Sequence, residues 1–75
     1  MPFACNILII SGDEERLVDR FRLDADDEQA AELEIMNIMA SESLKRDEPP
    51  SGWMLEYRGS QVSEEEWALL PPFGD

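Results

Sequence analysis

Residues Phe3 to Ile10 constrain the fold more than any other part of the chain. They hold its longest apolar run, Ile7-Leu8-Ile9-Ile10. Side chains alternate across a strand, so Phe3, Cys5, Ile7 and Ile9 face one way and Ala4, Asn6, Leu8 and Ile10 the other. Both sides are mostly apolar. That predicts a central strand, or one covered on both faces. Ser11-Gly12-Asp13 follows as a turn signal.

Leu17 to Ala25 alternates more cleanly. Leu17, Phe21, Leu23 and Ala25 share one face with Asp19, and Val18, Arg20, Arg22 and Asp24 share the other. This is the pattern of a half-buried strand paired as a hairpin. A competing reading exists for residues 14–20. Ser11-x-x-Glu14 has capping-box spacing, and Leu17, Val18 and Phe21 lie at helical spacing.

A helix is expected from Asp27 to Leu44. Asp26 is the expected N-cap, with Gln29 three residues on, and Asp27 and Glu28 complement the positive end of the helix dipole. Lys45 and Arg46 complement the other end, and Pro49-Pro50 forbids continuation. After a loop over Asp47 to Gly52, Trp53 to Val62 reads as a strand, with Gly59-Ser60 bending or ending it. Ser63-x-x-Glu66 opens a short helix carrying Trp67, Leu69 and Leu70, which Pro71-Pro72 stops. Phe73-Gly74-Asp75 is a tail able to pack back through Phe73.

The expected fold is therefore one α+β domain over residues 1–75. A three-stranded antiparallel sheet carries the long helix on one face, in ββαβ order, with a short C-terminal helix after it. Phe21, Leu23, Trp53, Leu55 and Tyr57 form the sheet side of the core. At 100° per residue the long helix has two apolar sides. Ala31, Ile35 and Ile38 cluster on one; Leu33, Met36, Ala40 and Leu44 lie nearly opposite. A sheet covers a stripe somewhat wider than 100°. The second stripe is covered either by the short helix and Phe73, or by a second copy or another protein.

Composition excludes several kinds of chemistry. The 75 residues contain no His and one Cys. An intrachain disulfide is impossible, and Cys5 lacks a His to activate it as a nucleophile. It reads as a small core residue suited to a reducing cytosol, and a cytoplasmic location is expected. Asp24 to Glu28 fails the calcium-loop test, since the sixth position from Asp24 is Gln29 and the twelfth is Ile35. No metal, cofactor or enzymatic activity is expected. No apolar stretch approaches a membrane span, and Met1-Pro2-Phe3 lacks a basic region followed by a long apolar one, so a secretory signal is not expected. Trp53 and Trp67 read as core anchors or interface residues.

The remaining feature is acidity. Eighteen Asp and Glu face six Lys and Arg, for a net charge of −12. Turns and helix starts account for each acidic cluster separately, and net charge aids solubility. The total still creates self-repulsion that costs stability. Direct nucleic-acid binding is not expected on this balance, because phosphate contacts need clustered Lys and Arg. A basic protein surface is the expected partner. In size, charge and strand–helix pattern the chain resembles, as a class, phage-encoded DNA mimics and anti-CRISPR inhibitors. The resemblance implies a non-enzymatic inhibitor that occupies the nucleic-acid site of a basic protein or complex, in the host cytoplasm if phage-encoded. The candidate contacts are Asp13, Glu14, Glu15, Asp26, Asp27, Glu28, Glu64, Glu65 and Glu66. The alternative is a structural or adaptor module that acts through Leu33, Met36, Ala40 and Leu44, or as a homodimer.

Overall fold

The computed structural model describes residues 2–42 and 48–73. The elements are β1 (Phe3–Ser11), β2 (Glu14–Leu23), α1 (Glu28–Glu42), β3 (Met54–Gln61) and α2 (Glu64–Leu69). The sheet order is β2-β1-β3, and β1 is antiparallel to both neighbours. The strand that is apolar on both sides is thus the central one. Cys5 and Ile7 are buried on one face, and Ala4 and Leu8 on the other.

β2 begins at Glu14, so residues 14–20 are strand. Ser11 pairs with Glu14 across Gly12-Asp13. Gly12 has φ of 60° and Asp13 a negative φ, the pattern of a two-residue II′ hairpin turn. The register shifts once. Ile7 pairs with Asp19, but Leu8 pairs with Leu17, so Val18 is bulged out. The bulge corrects the expected alternation. Phe21 and Leu23 are buried as expected, while Leu17 is turned to the other face and is 58% exposed.

β2 and β3 run parallel to each other on either side of β1, and α1 is the long crossover that parallel strands require. Its Ala31, Ile35 and Ile38 are buried with Cys5, Ile7, Phe21 and Leu23, flanked by Phe3, Ala25, Leu55 and Tyr57. Burying a large apolar side chain contributes about 2 kcal/mol. In a core this small, one such residue is a large part of a net stability of roughly 5–10 kcal/mol. Two expectations about β3 need correction. Trp53 lies outside the core, half-buried, with the Arg16 guanidinium 5.1 Å over its ring. Gly59 neither bends nor ends the strand, which runs to Gln61. A Cβ there would lie 2.8 Å from Ile35 Cδ1, so the glycine lets α1 settle onto β3.

α2 lies on the face of the sheet opposite α1, along β2. The Trp67 indole N–H donates to the Leu23 carbonyl at 2.9 Å, and the Arg22 guanidinium stacks 4.8 Å from the Trp67 ring. The chain then runs back beside β2. Arg22 N–H donates to Pro71 O at 2.9 Å, and Phe73 meets Phe21 with ring centroids 5.2 Å apart. Neither α2 nor Phe73 therefore covers the second stripe of α1. Leu33 is 57% exposed and Met36 64%, and Ala40 is exposed too. Leu44, Lys45 and Arg46 lie outside the described residues, as do Asp47, Gly74 and Asp75. Among the described residues no helix is long and apolar enough to cross a membrane.

Candidate functional site

The strand register decides where the acidic clusters go. Phe3 pairs with Leu23 on one side and Gln61 on the other. Both β2 and β3 therefore leave the sheet at its Phe3 end, and both helices begin there. Asp24, Asp26, Asp27 and Glu28 follow β2; Glu64, Glu65 and Glu66 follow β3. Asp24, Asp26 and Glu64 line one open hollow of about 610 Å³, whose apolar lining includes Pro2, Ala25 and Trp67. The hairpin cluster, Asp13 to Glu15, lies at the opposite end of the sheet, about 26 Å away for eight strand residues. Two of the three predicted clusters are brought together and the third is not.

The chain's own cations divide the candidates further. Arg16 pairs with Glu14 at 3.2 Å. Arg58 reaches across the sheet to Glu15 at 3.0 Å and also contacts Glu56. Its hydrogen bond and charge hold the Glu15 carboxyl below its ordinary pKa of 4.5, and Glu15 and Glu56 hold the guanidinium above its ordinary value. Arg20 pairs with Glu66 at 2.6 Å. Arg22 is stacked on Trp67. Every described Arg is thus held by a carboxylate or a Trp ring. Glu14, Glu15 and Glu66 are compensated within the chain.

Two carboxylates serve the helix starts. Asp27, rather than Asp26, caps α1: its Oδ1 accepts from Ala30 N–H at 2.7 Å, and its carbonyl accepts from Ala31 N–H at 3.0 Å. The cap lies one residue later than expected: β2 ends at Leu23 and α1 begins at Glu28, so Gln29 falls at the second helical position instead of the third. Ser63 caps α2 as expected, accepting from Glu66 N–H at 3.1 Å. The Glu66 carboxylate turns to Arg20, so the box is half-formed.

Asp24 belongs with this end of the molecule although its position on the β2 alternation gave it no separate role. Its backbone N–H is held by the Glu34 carboxylate at 3.3 Å. The signal for it was its place between a strand end and a helix cap. Among the described residues no group of three or more Cys, Asp and Glu is arranged to hold a metal ion. Cys5 is fully buried.

No protein-family model matches the chain, and no curated protein or solved structure matches it either.

Proposed function

We propose that the protein is a non-enzymatic acidic binding protein that inhibits a basic nucleic-acid-binding protein or complex by occupying its nucleic-acid site. The observation that carries this reading is the gathering of carboxylates at one end of the molecule, where the nearby arginines are already engaged. The four described arginines are tied to their own neighbours. Meanwhile Asp24, Asp26, Asp27, Glu28, Glu64 and Glu65 collect where the two helices start. Carboxylates gathered on a compact body suit a groove built for a phosphate backbone, and steer association in a salt-dependent way.

The test uses the immobilised protein and a lysate rich in nucleoprotein complexes. A nucleic-acid-binding protein, identified by mass spectrometry, is expected at low salt and is displaced by excess duplex DNA. Asp26→Lys with Glu64→Lys is expected to weaken its binding about tenfold or more, the usual scale for breaking interfacial charge pairs. Asp13→Lys, at the far end, is expected to leave it unchanged. Tolerance of reversal at both ends sinks the reading.

A second reading is favoured by the uncovered stripe of α1, where Leu33 and Met36 face solvent. An adaptor acting there would hold a partner that neither salt nor DNA displaces and that Met36→Glu releases.

A further inference from the structure

We propose that the outer edge of β3 is a self-association surface, pairing antiparallel with β3 of a second copy about a two-fold axis at Tyr57. The two edges of the sheet are treated differently. The β2 edge is disrupted by the Val18 bulge and bordered by the chain itself, where Pro72 bridges Arg22. Bulges, prolines and covering segments are the usual ways of preventing edge pairing. Among the described residues β3 has none of these three. It is eight residues long, contains no Pro or Lys, pairs with β1 in unbroken register, and no described strand lies on its other side.

Charge selects both the occupant and the register. A two-fold axis perpendicular to the sheet keeps each residue on its own face, so the axis must pass through a residue position. Centred on Glu56, the pairing sets Glu56 against Glu56. Centred on Arg58, it sets Arg58 against Arg58. Centred on Tyr57, it sets Glu56 of each copy against Arg58 of the other, and Leu55 against Gly59. Like charges directly opposite are unfavourable. Arg58 already meets Glu15 and Glu56 of its own chain; the Tyr57 register adds the second copy's Glu56 beside it and sets no like charges directly opposite, so it is the favoured one. The strand is complementary to itself.

The helix layer fits the same axis. α1 packs on β3 and β1. With strands about 4.8 Å apart, a helix seated between them lies about 5 Å from the axis, and the two helices about 10 Å from each other. That is the top of the usual range for packed helices. Glu28 and Glu32 line a cleft with Ser60 and Gln61, so this flank of α1 faces the β3 edge and α1 runs opposite to β3. Met39 lies on that flank by helical spacing. It is one turn beyond Ile35, which sits over Gly59, and therefore level with Tyr57 at the axis. Met39 is 45% exposed, and its counterpart from the second copy would cover it.

This inference does not depend on the acidic-partner reading, and its test uses the isolated protein alone. Sedimentation equilibrium in 0.5 M NaCl, which screens the −12 of each copy, is expected to show twice the 8.6 kDa monomer mass at high concentration, dissociating on dilution. For the register, Glu56→Cys and Arg58→Cys proteins are purified separately and oxidised alone or mixed. The mixture is expected to cross-link and neither protein alone, since position 56 faces 58 and the mixed pair keeps its other Glu56–Arg58 contact. Cys5 is buried and adds no background. Circular dichroism checks that each variant is folded, and Met39→Glu is expected to weaken the dimer while staying folded. A monomer mass across the whole concentration range overturns the proposal. So does a dimer that shows no preference for the mixed cross-link, or one that Leu33→Glu dissolves while Met39→Glu does not.

Discussion

Gly59 and Ile35 fit closely where α1 crosses β3. A Cβ at position 59 would stand 2.8 Å from Ile35 Cδ1, closer than real carbon atoms approach. Gly59→Ala therefore forces the Ile35 terminal methyl aside; that methyl is the far end of its side chain, so the cost is about 1 kcal/mol, the low end for overpacking. Ile35→Val deletes that methyl and costs about 1 kcal/mol by itself. Combined, the two changes are expected to cost less than their sum, because the second removes the atom that the first collides with. Urea titration of the two singles and the double measures the coupling. Strict additivity would mean that α1 does not rest on Gly59. A strand glycine carries no label saying whether it breaks the strand or makes room, so this contact was not legible in the sequence. The partner atom sits 24 residues away on another element.

At the scale of elements, the start of α1 depends on one carboxylate. Asp27→Ala removes the acceptor for Ala30 N–H and is expected to lower stability by about 1 kcal/mol, read as an earlier thermal midpoint in circular dichroism. No change in midpoint would show that the cap contributes nothing. That α1 exists was legible, since caps, period and Pro49-Pro50 agree; which of Asp26 and Asp27 caps it was not, because both are good caps and the choice depends on where β2 releases the chain. The same division holds for the strands. The two-sided apolar run of β1 named the central strand correctly, because a strand covered on both faces needs apolar residues on both; its one interior polar residue, Asn6, is satisfied by Arg58 O and Ser60 Oγ. The bulge at Val18 left no trace. Leu17 and Val18 are both apolar, so the alternation reads as well in either phase, and the register with β1 made the choice. The destination of α2 was also hidden. Trp67 and its capping box announce a short amphipathic helix, but its position depends on Arg20 and Arg22, which extended spacing marked only as an outward polar face.

For the whole molecule the deciding quantity is the balance between local ion pairs and general repulsion. The sequence showed the total charge and its clusters. It did not show which clusters meet, because Asp26 and Glu64 are 38 positions apart and only the antiparallel pairing of both outer strands with β1 carries them to one end. The described ion pairs are all partly exposed, and such pairs contribute about 0–1 kcal/mol each. Raising NaCl from 0.01 M to 0.5 M shortens the screening length from about 30 Å to about 4 Å. Added salt weakens the pairs a little and removes most of the long-range repulsion among the carboxylates. If repulsion dominates, the thermal midpoint rises, by about 5 °C for each kcal/mol recovered in a domain of this size. The rise is expected, and a salt series read by circular dichroism at constant protein concentration measures it, with the Met39→Glu protein run alongside to separate it from self-association. A midpoint that stays level or falls would mean that the acidic charge costs the fold nothing. The self-repulsion behind the acidic-partner proposal would then be absent, and the surface carboxylates would need no explanation beyond solubility.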